Sequence, residues 1–202
     1  MDQPRKPSTL TTDAPEGRLP PRQVLTRRFP VLSAGAVPAI DLETWSFTVW
    51  NGPRPLARWD WAGFNALPRT RWTKDIHCVT RWSKLDVAWE GVLVGDLMEA
   101  AGLAAPTPFT LALCFGDYST NLPYADLADG RAMVATHAEG EPLTPEHGGP
   151  ARLVVPHLYF WKSAKWVRGL RFTRRDEAGF WELRGYHMRG DPWKNERYDV
   201  GK

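Results

Sequence analysis

Short apolar segments separated by turn residues constrain the fold of this chain more than any other feature. Trp45, Phe47 and Val49 alternate along a predicted strand that turns at Asn51 and Gly52. A further strand is predicted within residues 109–120 and ends at Gly116. Others are predicted within residues 131–143, within 151–156 and around Val167, Leu170 and Phe172. Because these strands do not alternate regularly with helices, the pattern does not support a doubly wound parallel sheet.

Only two segments have helical spacing of apolar residues. Residues 61–68 predict a short helix with Asp60 as its N-cap, and the helix ends at Pro68. A second helix is predicted over residues 92–103, where Gly102 is a natural terminator. The predicted strands and helices together indicate an α+β fold with mixed sheets, short helices and long loops.

The two ends of the chain differ in composition from the rest. Residues 1–25 are rich in Pro, Thr, Arg and Gly, so they predict a tail that is either mobile or laid over the domain as a strap. Residues 26–202 are expected to form one domain, in which the polar and aromatic segment 185–202 has no regular period and reads as a C-terminal arm.

Charge and targeting signals narrow the class of protein. A net charge of +3 is too small to indicate nucleic-acid binding, and no apolar run approaches the ~20 residues of a membrane span. Two cysteines do not make a disulfide framework, which favours a reduced cytoplasm. Arg27 and Arg28 precede an apolar stretch like a twin-arginine export signal, but Pro30 and Pro38 interrupt it, so cytoplasmic location is expected.

Cys78 is the first candidate for chemistry. It follows His77 and lies near Lys74 and Arg81, and such cations favour a thiolate. The residues alone leave three alternatives open: a buried structural thiol, a metal ligand or a nucleophile. The 11 tryptophans add a further expectation, that several line a cleft or cover a cofactor. Among them Trp82 is expected in a cavity wall and Trp89 in the core.

The histidines do not resolve the role of Cys78. The chain lacks a CxxC pair and has no two histidines at i, i+4 spacing, which disfavours a zinc site. A Cys-His hydrolase built from Cys78, a remote histidine and an acid such as Asp117 remains formally open. The histidines are His77, His137, His147, His157 and His187.

A second candidate site lies in residues 148–171. Gly148 and Gly149 are expected to let a ligand approach the backbone closely, and Ser163 lies among several cations. Hydroxyl, amide and cationic groups together suit a phosphate, although a solvated basic face would have the same composition. The P-loop order is absent. The cations are Arg152, Lys162, Lys165, Arg168 and Arg171.

Taken together, "IHCVTRWS" and "GGPARLVVPHLYFWKSAKWV" resemble the molybdopterin domain of the sulfite oxidase family. The chain is similar in particular to short bacterial sulfite oxidase-like oxidoreductases, which are related to the catalytic subunit of the periplasmic methionine sulfoxide reductase. The resemblance runs from about Phe29 to the C-terminus and implies a sulfite oxidase-type molybdopterin-binding fold.

The resemblance also implies roles for individual residues. Cys78 would ligate molybdenum beside the two dithiolene sulfurs of one molybdopterin. Arg81 and Tyr118, with Arg189, would serve the substrate pocket, and Ser33 stands where the family more often has His, Asn or Thr. Cofactor contacts are implied for Ser33, His77, Cys78, Phe115 (or its neighbour Gly116), His147, Arg152, Ser163, Ala164 and Lys165.

The activity implied is that of a molybdenum-dependent oxotransferase acting on a small sulfur oxyanion or an S-oxide. The chain has no haem motif and no cysteine set for an iron-sulfur cluster, so electrons would pass to or from an external flavoprotein or cytochrome. Two alternatives remain: a molybdopterin-binding module without turnover, and the Cys-His hydrolase.

Overall fold

A computed structural model of the chain describes residues 10–11, 13–104 and 106–199. The strands in this part are β1 (Leu10–Thr11), β2 (Val24–Thr26), β3 (Ser46–Asn51), β4 (Arg54–Asp60), β5 (Thr70–His77), β6 (Trp82–Leu93), β7 (Phe109–Cys114), β8 (Ser119–Pro123), β9 (Met133–Ala138), β10 (Glu141–Pro142), β11 (Arg152–Val154) and β12 (Val167–Thr173). The helices are α1 (Trp61–Asn65) and α2 (Val94–Ala100), and short 3-10 turns occur at Tyr124–Asp126, Pro145–His147, Phe160–Lys162 and Glu182–Arg184.

Within the described residues the strands form two mixed sheets. In the seven-stranded sheet β6 is the central strand: it pairs antiparallel with β5 and β9 and parallel with β2. The five-stranded sheet has the order β4-β3-β12-β7-β8, with β12 parallel to β3. This arrangement confirms the predicted α+β class with mixed sheets.

Both helices begin near the predicted positions but are shorter than predicted. The Asp60 side chain accepts a hydrogen bond from the Gly63 N–H at 2.7 Å and caps α1 as expected. The second helix does not include residues 92–93, because Val92 and Leu93 pair with β9 and extend β6 instead. Its apolar face is buried, and α2 ends just before Gly102.

The segment 109–120 forms two strands instead of the single predicted one. β7 ends at Cys114, and the chain turns through Gly116, whose φ of 78° lies in the left-handed region, before β8 begins. A second difference is the long hairpin of β5 and β6, for which no strand was predicted. The turn between these two strands carries Cys78.

The seven-stranded sheet separates two apolar clusters. Val92 and Val134 face the larger cluster, which also contains α2 and the five-stranded sheet. Met133 and Ala135 face the smaller cluster, which contains Cys78 and Trp82. No helix in the described part of the chain is long and apolar enough to cross a membrane.

The described parts of both terminal segments contact the seven-stranded sheet or its loops. β2 runs beside the start of β6, and Arg18 forms ion pairs with Asp75 and Asp86. In the C-terminal arm Tyr186 pairs with Tyr198 in an isolated bridge. Residues 1–9 and 12 of the predicted tail and 200–202 of the arm lie outside the described residues, and the boundary at residue 26 stays a prediction.

Candidate functional site

One cavity of about 310 Å³ brings together most of the predicted site residues. It lies where the turn after β5 meets residues 29–34, residues 147–166 and residues 181–186, with Tyr118 at its wall. The predicted site residues that line it are Ser33, Cys78, Tyr118, His147, Arg152, Ser163, Ala164 and Lys165. Trp82 also lines the cavity, whereas Trp89 is buried in the core, as predicted for both.

Three predicted site residues do not line this cavity. His77 is buried beside it with Nδ1 2.8 Å from Ser83 Oγ, and burial lowers the pKa of His77 to about 4. Arg81 is exposed in a left-handed turn conformation, with φ of 75°. Phe115 packs against the larger apolar cluster, and its N–H donates to the Trp166 carbonyl. Arg189, considered for the same pocket, binds Asp126 through Nε and Nη2 instead.

Cys78 lies in the tight turn between β5 and β6, only 7 % exposed. Its Sγ is 3.1 Å from Thr80 Oγ1, the thiol's hydrogen-bond partner among the described residues, so no histidine is placed to act as its base. Burial raises the pKa of the Cys78 thiol, an effect larger than the opposing influences of Thr80 and Arg197.

The expected effect of the flanking cations on Cys78 is therefore wrong. Lys74 lies over the Trp72 ring, 5.7 Å from its centroid, and Arg81 points into solvent. A thiolate in such an apolar environment needs a strong positive partner, and a metal ion deprotonates a coordinating thiol outright. The environment of Cys78 favours a metal ligand over a nucleophile.

Arg152 is a buried cation that forms no ion pair with a carboxylate in the described part of the chain. It is 1 % exposed, and Nη1 and Nη2 each donate to a backbone carbonyl at 2.7 Å, those of His147 and Ser163. Its guanidinium lies 4.2 Å from the Phe160 ring centroid, and its buried Nε has no hydrogen-bond partner among the described residues. Burial lowers the pKa of Arg152 to about 9. A buried charge with a free donor beside a cavity is suited to an anionic ligand.

Lys165 and Ser163 add further polar groups to the same part of the cavity. Lys165 Nζ donates to Leu32 O, Ser33 Oγ and Glu146 O at 2.6–3.1 Å, which ties residues 32–33 to the cavity wall. Burial, with a smaller effect from Arg152, lowers the pKa of Lys165 to about 8. Ser163 Oγ accepts from the Val155 N–H, so its hydroxyl hydrogen can still be donated.

The other cations of the predicted phosphate site lie elsewhere. Lys162 is buried against Glu182, Arg168 donates to the Cys114 carbonyl, and Arg171 pairs with Glu177. The expectation that five cations share one site is wrong because the strand and turn geometry sends their side chains in different directions.

The two glycines of the motif also serve a different purpose from the predicted one. A Cβ at Gly148 would lie 3.0 Å from the Lys165 side chain, and one at Gly149 would collide with the Leu143 carbonyl. Neither glycine lines the cavity, so their lack of a side chain makes room for neighbouring protein atoms and not for a ligand.

Aromatic residues make up most of the remaining wall, which confirms the expectation that several tryptophans line a cleft, although the sequence did not identify which aromatic residues do so. The signal was present in the high tryptophan count, but which indoles face a cavity depends on the tertiary structure. These aromatic residues are Phe29, Phe160, Trp161, Trp166, Trp181 and Tyr186. They give the cavity flat apolar surfaces beside its cationic end.

Comparisons with known proteins support the family suggested by the motifs. Residues 34–181 match the oxidoreductase molybdopterin binding domain. The uncharacterized oxidoreductase YuiH of Bacillus subtilis is 46 % identical over 183 residues, covering 90 % of this chain and 92 % of that protein. A putative protein-methionine-sulfoxide reductase subunit, YedZ1 of Azospira oryzae, is 24 % identical, and the match spans 84 % of this chain and 66 % of that protein.

A solved structure has the same fold. The sulfane dehydrogenase SoxCD from Paracoccus pantotrophus superimposes with a TM-score of 0.61 at 22 % identity. The match covers 69 % of this chain and 41 % of that one. The predicted sulfite oxidase-type architecture is thus confirmed at the level of the fold.

Proposed function

Because the chain belongs to the oxidoreductase molybdopterin-binding family and is thus a molybdopterin-dependent oxidoreductase, we propose that it is an oxotransferase whose molybdenum is ligated by Cys78. One observation carries the proposal. The Cys78 thiol and the buried Arg152 guanidinium, which no described carboxylate neutralises, line the same cavity, so a soft metal ligand and an uncompensated positive charge meet at one space.

The residues of the cavity fit the cofactor group by group. Molybdopterin carries a phosphate, a flat pterin and a dithiolene that holds the metal. Arg152 and Ser163 supply donors for a phosphate, and Arg152 Nε has no partner among the described residues. Lys165, whose three N–H groups already bind protein oxygens, adds positive charge. The aromatic wall suits a pterin ring, and a cysteine thiolate is a soft ligand for the metal.

When bound, the cofactor supplies two-electron oxygen-atom transfer, with molybdenum alternating between the +6 and +4 states. The chain contributes position and environment. Cys78 would donate its sulfur from the turn after β5. The Tyr118 hydroxyl donates to the Trp161 carbonyl at 2.6 Å, which fixes the phenol ring, and Trp161 Nε1 donates to Glu182 Oε1 at 2.9 Å, which fixes the indole ring. Trp82 and Phe160 pack in the same apolar cluster as Cys78 and make the cavity apolar on the thiol side.

For the substrate, we favour an S-oxide over a small sulfur oxyanion. Among the described residues lining the cavity, the only arginine and lysine are Arg152 and Lys165, both assigned here to the cofactor. Arg81 and Arg189 lie outside, so no further arginine or lysine among the described residues lines the cavity to neutralise a second anion. The relative named as a putative protein-methionine-sulfoxide reductase subunit agrees with this class. Electrons would come from an external flavoprotein or cytochrome.

The first test is the metal content of protein purified from a molybdenum-competent host. We expect about one molybdenum per native chain and reduction of methionine sulfoxide with an artificial electron donor. Cys78→Ser should lose turnover and one of three sulfur ligands in the X-ray absorption spectrum. Cys114→Ala, at the other cysteine, should keep both the turnover and all three sulfur ligands. Native protein without molybdenum, or Cys78→Ser with an unchanged sulfur count, would contradict the proposal.

The same samples separate the alternatives. A loaded native chain that turns over neither methionine sulfoxide nor sulfite would indicate a binding module. Thiol-dependent hydrolysis by metal-free protein would indicate a Cys-His hydrolase, which the absence of a histidine hydrogen bond to Cys78 among the described residues disfavours.

A further inference from the structure

The turn that carries Cys78 is held by both terminal segments of the chain. From the N-terminal side, Gln23 Nε2 donates to the Cys78 carbonyl at 3.0 Å, and the Val24 N–H donates to the Arg81 carbonyl at 2.9 Å. From the C-terminal arm, the Arg197 guanidinium donates to the Val79 carbonyl. Two consecutive carbonyls of one turn are thus bound by side chains distant from it in sequence.

Both the nitrogen and the oxygen of the Gln23 side-chain amide form hydrogen bonds with residues of the β5–β6 hairpin. The residue is 4 % exposed, and its Oε1 accepts from Ser83 Oγ at 3.4 Å. Ser83 Oγ in turn lies 2.8 Å from Nδ1 of His77, the residue before Cys78. The amide therefore links the first residues of β6 to the Cys78 carbonyl, and it has little freedom to rotate.

Arg197 is held on the other side of the turn. It is 8 % exposed, its Nε donates to Asn195 Oδ1 at 2.8 Å, and its guanidinium lies 5.0 Å from the Tyr159 ring centroid. No described carboxylate forms an ion pair with it, and its buried Nη2 has no hydrogen-bond partner among the described residues. No acidic side chain that the structure describes neutralises its buried charge, which is directed at the turn.

We propose that Gln23 and Arg197 are positioning residues that clamp the Cys78 turn from its two sides and so aim the Cys78 sulfur into the cavity. The inference rests on the proposed function in one respect, the role of Cys78 as the molybdenum ligand. A ligand displaced by about 1 Å loses much of its effect, and hydrogen bonds from buried side chains to the carbonyls of the turn restrict such a displacement. The clamp also makes the geometry of the site depend on the two terminal segments.

The clamp is tested first in metal-free protein, by the rate at which a thiol reagent modifies each cysteine. Gln23→Met and Arg197→Met remove the hydrogen bonds while keeping side-chain length, and each should raise the modification rate of Cys78 about tenfold. Arg18→Met and Glu196→Gln are matched controls in the same two segments that do not contact the turn, and they should change the rate less than twofold.

Cys114, 2 % exposed in β7, serves as an internal reporter of general loosening. Faster modification of Cys78 alone supports the clamp. An equal rise for both cysteines, or no rise at all, would show that the two residues have no specific effect on the turn, and would overturn the proposal.

The second readout is the electron paramagnetic resonance signal of Mo(V) in partly reduced, loaded protein. Gln23→Met and Arg197→Met should shift the signal, and Arg197→Lys, which keeps a charge and one donor, should restore it largely. Unshifted signals in both methionine variants would overturn the clamp. An unchanged sulfur count in Cys78→Ser would instead overturn the proposed function, and the thiol rates would still report on the clamp.

Discussion

Arg152 and Lys162 are two buried cations in one short stretch of sequence, and the protein treats them differently. Lys162 has no exposed side-chain surface, and its Nζ lies 2.6 Å from Glu182 Oε1. It also donates to both oxygens of Asn121 and to the Met188 carbonyl at 2.6–2.8 Å. The protein itself supplies a full set of partners for this charge.

Among the described residues, Arg152 donates to two backbone carbonyls and pairs with no carboxylate, and its Nε has no hydrogen-bond partner. Burial is the leading cause that lowers the pKa of both groups, to about 9 for Arg152. Burying a charge is costly unless it is paired, so the difference separates a cation that holds the fold together from one that awaits a ligand.

The largest expected effect is on the paired cation. Lys162→Met leaves the Glu182 carboxylate buried and unpaired, which should lower the free energy of unfolding by about 3–5 kcal/mol. Chemical denaturation of metal-free protein measures it. Lys194→Met, at an exposed lysine of the C-terminal arm, is the control and should change stability little. A loss below about 1 kcal/mol for Lys162→Met would remove the contrast.

Arg152→Met should have the opposite profile. The metal-free protein should be as stable as the native chain or more so, because an unpaired buried charge is removed. Retention of molybdopterin should fall about 10–100-fold, the value of charge-assisted hydrogen bonds. Pterin release during dialysis measures this, with Arg174→Met at an exposed position as the control. Unaltered retention would contradict the assigned phosphate site.

The smallest effect concerns Lys165 and pH. Its pKa of about 8 in the folded chain lies below the model-peptide value of 10.5, so the unfolded chain binds more protons between these values. Folding therefore carries a penalty below about pH 8 that is relieved as pH rises toward 10.5. The stability of native metal-free protein relative to Lys165→Met should rise across this window. A difference that is flat or falls with pH would contradict the burial of this ammonium group.

The sequence predicts the components of the site better than their arrangement. Cys78 and Arg152 belong to short motifs, so their importance is visible without a structure. The difference between Arg152 and Lys162 is not visible in the sequence, because Glu182 lies twenty residues further along the chain and contacts Lys162 only in the folded structure. Gln23 and Arg197 were missed for the same reason, since they contact the Cys78 turn across 55 and 118 positions.

The fold shows the same limit. β3 and its turn follow from local alternation, and α1 follows from its cap. The β5–β6 hairpin was missed because register shifts at Lys74/Ile76 and at Glu90/Gly91 interrupt the period of two on which strand prediction depends. Long-range pairing stabilises these strands although their local pattern is irregular.

A crystal structure of the molybdenum-loaded protein, with the metal located by anomalous scattering, tests the central claim most directly. The account predicts molybdenum bonded to Cys78 Sγ and a pterin phosphate oxygen within hydrogen-bond distance of the Arg152 guanidinium. Molybdopterin bound outside this cavity, or a phosphate that leaves Arg152 Nε without a partner, would contradict it.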